Sequence, residues 1–372
     1  MIINILFTIL IVFAIFKLTK KQYIKNNNAF LNVLLISMMV MHFSMTIIQY
    51  KWSLISAFDS TVFFNRAYNS SSWFSLFKLG NRAMSFLCYP LTKLGLNYLS
   101  ISLFFSFLSY LGYLIYFKEL TKVKTKSYIH KTVLIVFFIF PSIHFWTGSL
   151  TKESILFLML ALLYYQLKKY KSISFTFLLS LMVMLFIRPY LALIILAVLV
   201  LIYYKTFNNW FKSVVVVISV FSIYLVGKFL KIKSFDSFQK NYSNLIKYAD
   251  RAGNSSIDLG NSNYAERMLL VLFRPFFIDA KTVLQFFVSF ENLIILLIVI
   301  SLVFCYKHMT AILNFKVYKF MLVYIIILVL FFSIYMYNMG LANRMRVMFV
   351  PYIIILLLDL LKLKQREIKN NQ

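Results

Sequence analysis

The residues in this chain that could do chemistry cluster where apolar stretches begin. Lys152 and Glu153 open one stretch in Thr151-Lys152-Glu153, Arg188 precedes Pro189 at the start of another, and Asn343-Arg344-Met345-Arg346 leads into a third. A helix start leaves backbone N–H groups without intrahelical acceptors and carries the positive end of the helix dipole. A cation placed there completes a site for an oxyanion such as phosphate. Proline suits the first helical position, and Asn343 is a candidate cap. Arg274 adds a fourth guanidinium, whose planar fork matches phosphate oxygens in pairs. Asp59, just beyond the second apolar run, and Glu153 are candidate general bases. His144-Phe145-Trp146 supplies an imidazole and an indole. His144 is either a proton carrier or a hydrogen-bonded structural residue, and Trp146 is of the kind that anchors at a bilayer surface.

Such residues need elements to hold them, and the composition says what those are. Of 372 residues, 62% are hydrophobic and 13% charged, against about 25% charged in a soluble globular chain. Cores of water-soluble domains stop growing well short of hiding so much apolar surface, so lipid must cover the rest. A bilayer core of about 30 Å needs roughly 20 apolar residues per spanning helix. Eleven segments approach that, near 2–17, 29–50, 97–117, 131–147, 152–167, 172–187, 189–204, 212–230, 289–306, 317–336 and 345–361. The expected fold is an all-α polytopic integral membrane protein, one transmembrane domain over 1–372, with about eleven spans and interfacial helices in two long outer loops, 51–96 and 231–288.

Lysines gather in alternate connections, at Lys17–Lys25, Lys118–Lys131, Lys168–Lys171, Lys205–Lys212, Lys307–Lys319 and Lys362–Lys369. Those connections are expected to face the cytoplasm, which sets the N-terminus outside and the C-terminus inside. A burst at Lys228–Lys233 runs against this scheme. Arginine behaves differently: Arg66, Arg82, Arg188, Arg251, Arg267, Arg274, Arg344 and Arg346 all fall on the other side, as do most acidic residues. Many of these charges, notably between Asp236 and Arg267, read as mutually paired loop charges. The loop at 231–288 begins with Gly253-Asn254-Ser255-Ser256 and Gly260-Asn261-Ser262-Asn263, then turns amphipathic from Ala265 to Phe290; it reads as a lid or as a plain connector.

The net charge of +28 is spread in short bursts between apolar runs, which points to phospholipid and not to nucleic acid. Cys88 and Cys305 sit in or beside apolar runs as small hydrophobes. No Gly-rich phosphate loop, zinc-type His/Cys spacing or Gly-x-Ser-x-Gly elbow occurs. The centres of the apolar segments hold no Asp, Glu, Lys or Arg, which disfavours an ion-coupled transporter.

Two groups of residues carry a resemblance. The loop with Asp59, Phe63, Phe64, Ala67 and Tyr68 resembles the opening of the GT-C superfamily of membrane glycosyltransferases that use lipid-linked sugars. Pro141 through Glu153, Arg188-Pro189-Tyr190 and Gly340 through Arg346 are similar to stretches of bacterial Wzy-type polysaccharide polymerases. The acidic loop follows the second apolar segment here, whereas in GT-C enzymes it follows the first. The resemblance implies transfer of sugar repeat units from an undecaprenyl-diphosphate-linked donor to a glycan acceptor, at the outer face of the bacterial inner membrane. It implies that Lys152, Arg188, Arg274, Arg344 and Arg346 hold the diphosphate, that Asp59 or Glu153 takes the acceptor proton, and that Trp146, with His144, contacts sugar. No cofactor is required, though a divalent cation bridging the diphosphate is compatible; other polysaccharide-assembly proteins are the expected partners. The competing readings are a lipid-linked oligosaccharide flippase, another polytopic transporter, and a single-addition transferase.

Overall fold

The computed structural model describes residues 2–25, 28–56, 58–122, 127–169, 174–206, 262–281, 283–336 and 338–370, with isolated positions between 209 and 244. Among the described residues the regular elements are all helical. Among the described residues, six helices or helix pairs are long and apolar enough to cross a membrane: Ile2–Ile24, Ala29–Ile55, Tyr98–Leu120, Tyr128–Thr147, Gln285–Phe304 and Lys316–Ile334. These apolar helices support a membrane protein. Phe175–Ile187 and Pro189–Tyr203 are apolar but shorter, so an expectation of eleven spans is not met by length alone. The segment expected at 212–230 and the turn-rich part of the second loop lie outside the described residues, apart from isolated positions.

The chain divides into two compact units, Met1–Pro189 and Tyr190–Gln372. In the first, α1 (Ile2–Lys25), α2 (Ala29–Ile55), α5 (Tyr98–Leu120), α6 (Tyr128–Ile139), α7 (Pro141–Thr147), α8 (Lys152–Lys169) and α9 (Phe175–Ile187) form the bundle, while α3 (Asp59–Asn69) and α4 (Asn81–Lys93) pair with each other in the first loop. Polar side chains set the starts: Asn28 accepts from Phe30 N at 3.0 Å, Asn97 from Ser100 N at 2.9 Å and Ser174 from Phe177 N at 3.2 Å.

Contacts along α5 fix the register of its neighbours. Asn4 of α1 bonds Gly95 O and Asn97 N, while Thr19 bonds Tyr110, so α1 runs parallel to α5. Ser53 of α2 bonds Tyr98, while His42 bonds Ser109, so α2 runs antiparallel. Gly112 lies against Phe157 and Tyr116 against Tyr164, so α8 is parallel to α5. A Cβ on Gly112 would stand 3.0 Å from a Phe157 ring carbon and 3.1 Å from Leu158 Cα, which is why α5 and α8 approach closely only with glycine there. The consequence is a polarised unit. Lys17 to Lys25 of α1, Lys118 of α5 and Lys168 and Lys169 of α8 lie at one end, and Asp59, Asn81, Lys152 and Arg188 lie at the other.

The second unit comprises α10 (Pro189–Tyr203), α11 (Tyr264–Phe273), α12 (Val283–Phe304), α13 (Tyr306–Leu313), α14 (Lys316–Tyr335), α15 (Met339–Met345) and α16 (Val350–Asn370). Tyr324 of α14 meets Tyr352 and Met348 O, and Tyr318 meets Asp359, so α14 and α16 are antiparallel. Lys316, Lys319 and Lys362 thus share one end, and Arg344 and Arg346 occupy the opposite one.

Candidate functional site

In the first unit, a buried polar network places the start of α8. His42 Nδ1 and His144 Nδ1 are 3.1 Å apart; His144 Nε2 donates to Phe138 O at 2.9 Å, and His42 Nε2 faces the hydroxyls of Ser106 and Ser109 at 3.1 and 3.0 Å. Tyr113 stacks on His144 with centroids 4.3 Å apart. Locked this way, α7 delivers the chain into the turn at Gly148, where a side chain would collide with His144 O and with Thr46. Thr151 closes the turn: its hydroxyl donates to Trp146 O at 2.8 Å and accepts from Ser154 N at 3.3 Å, capping α8.

That cap puts Lys152 and Glu153 in the first turn of α8, as the sequence predicts. Lys152 Nζ donates to Asn81 Oδ1 at the start of α4, and Arg188 donates to the Glu153 carboxylate. Arg188 is 5% exposed and Glu153 not at all. Arg188 also ends α9, its N–H bonding Met184 O at 2.7 Å, before Pro189 opens α10. One ammonium, one guanidinium, one carboxylate and one carboxamide therefore lie about one helix start, the Arg188–Glu153 pair buried where a low dielectric strengthens the charge–charge contact and the Lys152–Asn81 contact exposed.

The geometry corrects several expectations. Glu153 is not an exposed base but the buried counter-charge of Arg188, because an unpaired guanidinium at that depth would be prohibitive. His144 has no open face for sugar: it is buried with both ring nitrogens engaged, the structural alternative of the two considered. Trp146 is half-buried with its ring edge-on to Phe145, centroids 5.2 Å apart. Asp59 is exposed in the first turn of α3, where a carboxylate complements the free N–H groups.

In the second unit the corrections are larger. Asn343 caps nothing at a helix start; Asn338 does, accepting from Gly340 N at 2.8 Å and Leu341 N at 3.2 Å. The helix therefore begins at Met339 and ends near Arg344, so the arginines meet a helix C-terminus and not an N-terminus. Arg346 is buried and consumed by structure. Its Nε donates to Val271 O at 2.9 Å, and its terminal nitrogens reach Leu270 O, Arg274 O and the side chain of Asn292, so one guanidinium satisfies the last carbonyls of α11. Those contacts leave it no fork for a diphosphate. Arg274 faces Asp279 with two nitrogens, Nε to Oδ2 at 2.7 Å. The guanidinium holds the Asp279 carboxyl below the usual range, helped by the Phe276 N–H, and the carboxylate in turn raises Arg274. Arg344 is half-buried in the last turn of α15.

The sequence reading passed over His42, Asn81 and Asn292. His42 had a legible signal, an imidazole in the middle of an apolar segment, which needs a polar partner in the bundle. Among the described residues, no group of three or more His, Cys, Asp and Glu is placed to hold a metal ion. No protein-family profile, curated protein or solved structure matches this chain.

Proposed function

We propose that this chain is a polytopic membrane glycosyltransferase of the polysaccharide-polymerase type. In this reading it spans the bacterial inner membrane about eleven times, with the lysine-rich ends of its helices in the cytoplasm. It moves sugar units from an undecaprenyl-diphosphate-linked donor to a glycan hydroxyl at the outer face. The observation that supports the reading is the placing of Lys152, Arg188 and Asn81 about the start of α8, at the end of the first unit away from the lysines of α1 and from Lys168 and Lys169. An isoprenoid donor arrives laterally through lipid, and its diphosphate leaving group needs cations and free N–H groups in a water-poor place. Lys152 and the first turn of α8 would take the diphosphate. Arg188, held by Glu153, would fix that turn and lend positive charge. Asp59, exposed in the same unit, is the proposed acceptor of the sugar hydroxyl proton, and Trp146 the proposed sugar contact.

The test is the surface-glycan ladder of a deletion strain complemented with Lys152→Ala or Asp59→Asn. Loss of long chains in the deletion strain, with restoration by the unaltered chain but not by either variant, supports polymerisation. An unaltered ladder in the deletion strain removes it.

A further inference from the structure

The loop between α2 and α5 carries a surface that the proposed chemistry does not use. Its single acid is Asp59, against Arg66, Lys78, Arg82 and Lys93. Trp73 packs on Phe86 with centroids 5.0 Å apart and bonds Phe86 O through its indole N–H at 2.9 Å, so the turn before α4 is rigidly folded. Beside it, Phe74 is 75% and Phe77 60% exposed, with Lys78 and Arg82 exposed next to them. Large aromatic residues on a folded turn are not left in water without reason.

Position says what covers them. The C-terminus of α2 and the N-terminus of α5, both ends of helices long enough to span, anchor the two sides of the loop. Gly80 N bonds Phe186 O at 3.0 Å, and Phe77 stacks on Phe186 at 5.2 Å, at the end of apolar α9. The turn therefore sits at the level where apolar helices stop, with rings and cations on one surface. That is the arrangement of a segment lying in the headgroup layer, and the excess of cations selects the sign of the headgroup.

We propose that the surface formed by Trp73, Phe74, Phe77, Lys78 and Arg82 is a binding site for anionic phospholipid. It holds whether or not the chain transfers sugars. The rings enter the acyl boundary while the cations pair with lipid phosphates and acidic headgroups.

The test uses the full chain, with Trp52, Trp146 and Trp210 replaced by Phe, in nanodiscs of equal parts phosphatidylcholine and phosphatidylglycerol. In one arm only the phosphatidylglycerol carries brominated tails, in the other only the phosphatidylcholine. Trp73 fluorescence should be quenched roughly two- to fivefold more by brominated phosphatidylglycerol, and Lys78→Ser/Arg82→Ser should erase the difference. Equal quenching in the two arms overturns the proposal, as does protection of Trp73 by soluble oligosaccharide in place of lipid. Should the Trp-depleted chain fail to fold, photoreactive phosphatidylglycerol and phosphatidylcholine are applied to the unaltered chain. Preferential labelling of residues 66–93 by the anionic probe supports the site, and indifferent or absent labelling there refutes it.

Discussion

Arg188 and Glu153, thirty-five positions apart in sequence, form a buried ion pair that ties the end of α9 to the first turn of α8. The pair rules the local energetics. Arg188→Ala takes the guanidinium away from a fully buried carboxylate, and such changes cost about 3–5 kcal/mol. Arg188→Met combined with Glu153→Leu removes both charges and should recover most of that loss. Thermal unfolding of the detergent-solubilised protein checks both; a double variant as unstable as the single one would show that packing, not charge, dominates.

Arg346 is predicted to matter for folding and not for anion binding. Its five-donor fork serves backbone carbonyls of Leu270, Val271 and Arg274, geometry that one ammonium cannot copy. Arg346→Ala and Arg346→Lys should both destabilise the chain, the former by roughly 3 kcal/mol. Proteolytic sensitivity of the α11–α12 connection reports it.

The Arg274–Asp279 pair predicts a pH dependence. Asp279 has its carboxyl lowered in the folded chain, so the pair's stabilisation is present above the unfolded value and fades as pH falls through the folded one. Local protection of residues 274–280 from hydrogen exchange should therefore weaken at pH below about 4, relative to neighbouring segments. In Asp279→Asn the protection should be lower at neutral pH and insensitive to acid.

Gly112 sets the α5–α8 distance. Gly112→Val places branched carbons where Phe157 and the Leu158 backbone already stand, which should cost about 1–3 kcal/mol. Gly112→Ala should cost less, since its single methyl needs a shift of a few tenths of an ångström. Melting temperatures of the two variants should rank in that order.

Much of the scaffold was legible because apolar length and capping act locally. Starts expected at 29, 152 and 189 coincide with Ala29, Lys152 and Pro189, and the first loop does contain short paired helices. In the second unit Lys316, Lys319 and Lys362 lie opposite Arg344 and Arg346, whereas in the first Lys152 shares an end with Arg188. What escaped was long-range. Whether Arg346 meets solvent or the carbonyls of a helix more than seventy residues earlier is decided by packing, and no local pattern carries that. The Asn338 cap was hidden because Asn343 offered an equally good local signal five residues later. His144 found its partner in His42, a hundred and two positions away, and so left the candidate sugar site.

The central claim is that the start of α8 grips a phosphorylated isoprenoid. Native mass spectrometry of the purified full chain, challenged with undecaprenyl diphosphate and with undecaprenol, tests it directly. The account predicts that the diphosphate is retained over the alcohol and that Lys152→Ala reduces this preference by about tenfold, as loss of one charge-assisted phosphate contact would. Equal retention of alcohol and diphosphate, or a preference untouched by Lys152→Ala, would contradict it.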